Sequence, residues 1–130
     1  MRLTHSLLAA ALGLSLLAGC ASYGGKTAQV PVQVAGGALT NPAGMTLYVF
    51  DKDPADASKS ACNGDCAVKW PPLMAGAGDK AVGDYSIVTR DDGSKQWAYK
   101  GKPLYLWIKD QKPGDMTGDG VNNVWHTAKP

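Results

Sequence analysis

Cys62 and Cys66, with three residues between them, are the pair whose types and spacing could do the most chemistry. Thiolates placed this way suit copper, with His126 as an imidazole and Met74 or Met116 as thioether ligands. In an oxidising compartment the same pair forms a disulfide instead. A loop this small would add about 2 kcal/mol and mainly pin one turn. Residues 115–123 offer a second metal candidate, calcium. Asp115, Thr117, Asp119 and Asn123 fall at positions 1, 3, 5 and 9 of a calcium loop, and Gly120 falls at position 6. His126 stands where the bidentate Glu belongs, and no helical pattern flanks the segment, so a plain Asx and glycine turn competes with the ion. The reading taken forward is a structural disulfide and no resident cofactor, with copper or calcium as the alternatives.

Aromatic side chains form the next group. Tyr48 and Phe50 lie two apart, as do Tyr105 and Trp107, so each pair shares one face of a strand. Rings so arranged either fill a core, with their hydroxyls bonded to loop groups, or form an exposed platform that stacks on sugar. The opposite face is also apolar, with Leu47, Val49, Leu104 and Leu106, so the expectation is one core face and one available face. Asp53 and Asp110 follow the two aromatic pairs and read as acceptors for backbone N–H groups in turns.

Enzyme chemistry is poorly provisioned. The chain has no Glu, and His126 is the lone histidine after residue 20. It has no nucleophile elbow, no zinc-protease helix motif and no phosphate loop. The Gly25-Lys26-Thr27 run lacks the first glycine and the preceding strand that such a loop needs. A formal charge of +2 on 130 residues makes no case for nucleic acid. The expectation is a non-catalytic protein that binds or scaffolds an envelope protein or a glycan.

The elements that must position these residues are strands. Sixteen Gly, eight Pro and acid supplied by Asp alone mark a loop-rich, β-rich chain sized for one domain. Strands are expected at residues 30–34, 45–50, 86–90, 95–99, 104–108 and 124–127. Turns are expected at Asp91-Asp92-Gly93 and at Lys100-Gly101. A weak helical stretch at residues 61–70 stops at Pro71-Pro72. The fold class is therefore a small, antiparallel, all-β domain over residues 29–130.

The chain begins differently. Arg2 leads into an apolar run too short to span a bilayer with ease, and Leu17-Ala18-Gly19-Cys20 follows. This stretch resembles the lipobox of bacterial lipoproteins. The resemblance implies a signal peptide at residues 1–19, acylation of Cys20, and a tether at residues 20–28 holding the domain to the lipid bilayer of the cell envelope. Ala21, where such proteins retained at the inner membrane carry Asp, points to the periplasmic face of the outer membrane.

Residues 44–53 and 101–110 repeat one another at a constant offset. Gly44, Leu47-Tyr48-Val49-Phe50 and Asp53 parallel Gly101, Leu104-Tyr105-Leu106-Trp107 and Asp110. A Gly-Asp loop and then a tryptophan, Trp70 or Trp125, complete each unit, giving repeats near residues 44–73 and 101–128. Both copies fit Tyr-x-(Phe/Trp/Tyr)-x-x-Asp. The chain thus resembles the bacterial secreted-repeat lipoproteins named for that motif. The resemblance implies a compartment and a repeat, with no agreed activity.

Overall fold

The computed structural model describes residues 29–130; Cys20, the signal peptide and the tether lie outside the described residues. Ten short elements follow one another. They are β1 (Gln33–Ala35), β2 (Ala38–Thr40), β3 (Tyr48–Phe50), α1 (Asp65–Lys69), β4 (Met74–Ala75), β5 (Tyr85–Thr89), β6 (Lys95–Tyr99), β7 (Lys102–Pro103), a 3-10 turn (Val121–Asn123) and β8 (Trp125–Thr127). All pairing is antiparallel. β1 pairs with β2 and β3 with β8, while β6 takes β5 on one edge and both β4 and β7 on the other. The chain is all-β and loop-rich, with one short helix inside the stretch whose sequence is weakly helical.

The two hairpin turns form where the sequence places them. Lys100 and Gly101 both have positive φ, at 48° and 84°, which is what a two-residue loop needs to match strand twist. Gly101 has a second reason to lack a side chain: a Cβ there would run into the Ala55 carbonyl.

Several expectations need correction. The strand expected at residues 104–108 is replaced by β7 and an isolated bridge at Tyr105. Pro103 has no N–H, and beyond it the Leu106 and Ile108 N–H groups donate to the Pro71 and Lys69 carbonyls. Trp107 therefore belongs to no strand. The first strand begins at Gln33 rather than at residue 30, and β2 and β4 had no sequence signal strong enough to mark them. The face expected to stay available is also buried. Leu47, Tyr48, Leu104 and Tyr105 are each 0% exposed, so consecutive residues are covered on both sides.

Two clusters provide that cover. Leu39, Leu47, Leu73, Trp97, Leu104 and Ala128 form one. Tyr48, Cys62, Trp70, Tyr105 and Trp125 form the other. The strands carrying the tyrosines run between them, as in a layer with a core on each face.

The repeat extends further back than the motif. Leu39 N–H donates to the Ala128 carbonyl and Leu47 N–H to the Leu39 carbonyl, both at 2.9 Å. Trp97 N–H to Leu73 and Leu104 N–H to Trp97 reproduce that pattern in the second half, again at 2.9 Å. The β1–β2 hairpin is thus the counterpart of β5–β6, and each unit begins with a hairpin ahead of its glycine.

Candidate functional site

Tyr48 and Tyr105 sit face to face at the centre of the molecule. Tyr48 N–H donates to the Tyr105 carbonyl at 2.8 Å, and Tyr105 N–H returns to the Tyr48 carbonyl at 3.0 Å. This exchange marks an approximate two-fold axis between the repeats. Thr127 pairs with Tyr48 on one side and Pro72 bridges Tyr105 on the other, so each repeat's last strand docks on the other repeat's tyrosine.

The side chains exchange in the same way. The Tyr48 hydroxyl donates to Asp110 at 2.6 Å, and the Tyr105 hydroxyl donates to Asp53 at 2.6 Å. Each motif supplies the phenol of one pair and the carboxylate of the other. Asp110 also accepts from the Thr117 N–H and hydroxyl, and Asp53 from the Ala61 N–H. The carboxylates therefore do hold turns, as their spacing suggests, but each also receives a tyrosine from the other repeat. Burial, reinforced by the neighbouring carboxylate, pushes both phenols well above the ordinary tyrosine value. Burial likewise raises the Asp53 carboxyl, against the opposing pull of its Tyr105 and Ala61 donors.

The rings continue the exchange. Phe50 stacks on Trp125 at 4.2 Å, Trp125 on Trp70 at 3.7 Å, and Trp70 on Trp107 at 3.9 Å. Tyr48 meets Trp70 edge-on and Tyr105 meets Trp125 edge-on, as ring quadrupoles prefer. Gly118 lies against the Trp70 and Trp107 end of this four-ring stack, where a Cβ would come within 2.8 Å of Trp70.

Symmetry fails around Cys62 and Cys66. The structure joins them as a disulfide with Cα atoms 5.2 Å apart. The second repeat has no counterpart to this bond, and in the place of α1, ahead of Trp125, it carries only the 3-10 turn Val121–Asn123. Arg90, buried at 5% exposure, clamps the disulfide loop through the Cys62 carbonyl at 2.6 Å, Gln96 at 2.7 Å and Ser60 at 3.0 Å. Ser60 shares a 2.6 Å hydrogen bond with the Tyr105 hydroxyl, so the network runs from Arg90 through Ser60 and Tyr105 to Asp53. Arg90, Gln96 and Ser60 carried no sequence signal, because a cation or amide at the end of an exposed hairpin looks the same whether its tip is solvated or buried.

Beside the disulfide a groove of about 420 Å³ opens onto the stack. Phe50, Trp70 and Trp125 line it together with Lys52, Lys69 and Asn122. Asn122 has φ 52°, a left-handed conformation that asparagine tolerates better than most residues.

The remaining metal candidates are placed apart. Asp115 is held by the Gln111 and Lys112 N–H groups and by the Lys112 ammonium, and Asp119 by the Thr127 N–H. His126 meets Asp51 at 2.7 Å on the surface, and Met74 and Met116 are exposed. Among the described residues, no three His, Cys, Asp or Glu side chains gather in one place. The sulfurs joined in the disulfide have no thiolate to offer copper.

Fold and site together define a pseudo-symmetric β domain made of two interlocked repeats. The chain belongs to the family described as a secreted repeat of unknown function, whose model matches residues 32–74 and 86–129. Those bounds take in β1–β2 whole and β5–β6 from Ser86 onward, wider than the units read from the motif alone. A secreted family puts the domain outside the cytoplasm, in the envelope or beyond it. No curated protein and no solved structure matches the chain.

Proposed function

We propose that this protein is a non-catalytic envelope lipoprotein. It is anchored through acylated Cys20, faces the periplasm from the outer membrane, and holds a partner protein or glycan at the groove beside the disulfide. One observation carries the non-catalytic reading: the phenols and carboxylates of both motifs are hydrogen-bonded to each other across the repeats. Groups used this way hold the fold and leave no free acid, base or nucleophile at the axis. The groove is favoured as the contact surface because the disulfide beside it has no counterpart in the second repeat and three stacked rings open onto it. What supports the anchor is the Leu17-Ala18-Gly19-Cys20 stretch and its likeness to a lipobox.

The test is in-cell crosslinking from a photoreactive residue placed at Asn122, with Val34 on the β1 edge as control. A discrete adduct from position 122 and none from position 34 is the expected outcome. No adduct from 122, or the same adduct from both, removes the groove as the contact surface. The anchor is read separately: Cys20→Ala should lose incorporation of labelled fatty acid, and retained label would overturn that part.

A further inference from the structure

Successive residues of a strand face opposite ways, so Val49 and His126 point away from the side that carries Phe50 and Trp125. On that other side lies a second depression, of about 340 Å³. Val49, Tyr99 and Ala128 contribute apolar surface, and Lys100, Lys102, Lys129 and the His126–Asp51 pair contribute charge. We propose that this depression is an anion site that takes a phosphate group.

Charge balance is the first argument. The Asp51 carboxylate that lines the depression is engaged by His126 at 2.7 Å, and Asp119, in the field of Lys129, by the Thr127 N–H at 2.9 Å; Asp84, whose carbonyl accepts from the Lys100 N–H, is a third acidic residue beside the site. Among the described residues, none of the three lysines forms an ion pair. Three ammonium groups thus line one concave surface, none of them within ion-pair distance of a carboxylate among the described residues. Beside an apolar floor their attraction for an anion exceeds what it would be in open water. Phosphate suits three donors because it offers several charged acceptor oxygens at once.

Backbone conformation is the second argument, and it is independent. Lys100 occupies φ 48° in a two-residue hairpin loop. Asn, Asp or Gly takes that position with less strain. Lysine there keeps a charge at the lip of the depression at the expense of an easier turn. Strained residues of this kind concentrate where a ligand is held.

The chemistry has two sources, a soluble phosphate ester and the headgroup of an anionic lipid. The experiment uses the chain from Ala21 onward, which keeps every described residue and lacks the acyl chain. Inorganic phosphate is titrated while amide resonances are followed. Saturable shifts at Lys100, Lys102, His126 and Ala128 are expected, weakening several-fold as salt rises from about 0.05 to about 0.5 M. Lys100→Asn should leave the melting temperature unchanged or higher, since asparagine suits the turn, yet weaken phosphate binding at least threefold. Lys100→Asn with Lys102→Gln should weaken it about tenfold. A second arm measures co-sedimentation with phosphatidylglycerol vesicles against phosphatidylcholine vesicles. Retention on the anionic vesicles that the double variant loses assigns the lipid headgroup; phosphate binding without retention assigns a soluble ester. Shifts spread over unrelated lysines and unaffected by the double variant overturn the site, as does the absence of both saturable shifts and variant-sensitive retention.

Discussion

At the scale of single residues, the two phenols decide how the domain responds to pH. Their folded values lie above the ordinary tyrosine value of 10.0, because burial opposes phenolate formation and Asp110 and Asp53 add repulsion. The folded state therefore holds its phenolic protons where the unfolded chain releases them. Stability from these groups is complete below about pH 10 and is lost as pH rises beyond it. Urea midpoints should accordingly hold up to about pH 9 and fall steeply above about pH 10, and phenolate absorbance from Tyr48 and Tyr105 should rise only with unfolding. A midpoint that stays flat through that range would mean the phenols ionise freely. Tyr105→Phe removes a hydroxyl that both Ser60 and Asp53 use, leaving the buried Ser60 with one partner fewer. The expected loss is about 1–3 kcal/mol, read from chemical denaturation. That Asp53 and Asp110 close turns was legible from their type and place after the aromatic pair. Which tyrosine each would meet was not, because the partner lies in the other repeat, far along the chain.

At the scale of elements, turn chemistry was the most readable layer and the strand through Trp107 the least. The Lys100-Gly101 and Asp91-Asp92-Gly93 turns set the β5–β6–β7 meander from local sequence alone, as positive-φ positions and Asx groups do. The apolar run at residues 104–108 imitates a central strand. Its alternation instead reports two cores, with Leu104 facing one and Tyr105 the other. Period-2 alternation of apolar with apolar residues cannot distinguish a layer buried on both sides from one with a spare face. β2 and β4 leave no mark in the sequence, since two or three residues carry too little pattern. Trp107→Ala tests the role assigned to the stack. Trp107 is half-buried against Trp70, so truncation should cost about 2–3 kcal/mol, short of the loss for a fully enclosed ring. An unchanged thermal midpoint would show that the ring is a surface platform. Gly101→Ala should be harsher than its single methyl suggests, since the added carbon meets the Ala55 backbone, which has no rotamer to escape into. A Gly101→Ala protein with wild-type stability would mean the 55–56 loop is free to move aside.

At the scale of the whole molecule, the devices that join the two halves are exchanges between repeats. The tyrosine hydroxyls, the ring stack and the terminal strands each cross the axis. A single repeat would expose its phenol, its carboxylate and one face of its tryptophan, and its tyrosine strand would have an unpaired edge on each side. Such a unit is also too small to bury a core of its own. The sequence repeat announced two units, but the interlocking follows only from where β8 and the 71–74 segment dock. The exposed loop between β4 and β5 is the natural place to cut, because it lies between the matched segments and no strand crosses it. Chains covering residues 29–80 and 81–130, prepared separately, should each lack dispersed amide resonances and a cooperative thermal transition. Mixed at equal concentration, they should recover both, with a midpoint that rises with concentration because assembly is now bimolecular. The recovered complex should also regain the suppressed ionisation of Tyr48 and Tyr105, which requires each carboxylate to come from the other fragment. If residues 29–80 fold alone into a stable monomer, the disulfide and α1 suffice to complete one repeat, and the exchange across the axis is an ornament of the fold rather than its cause.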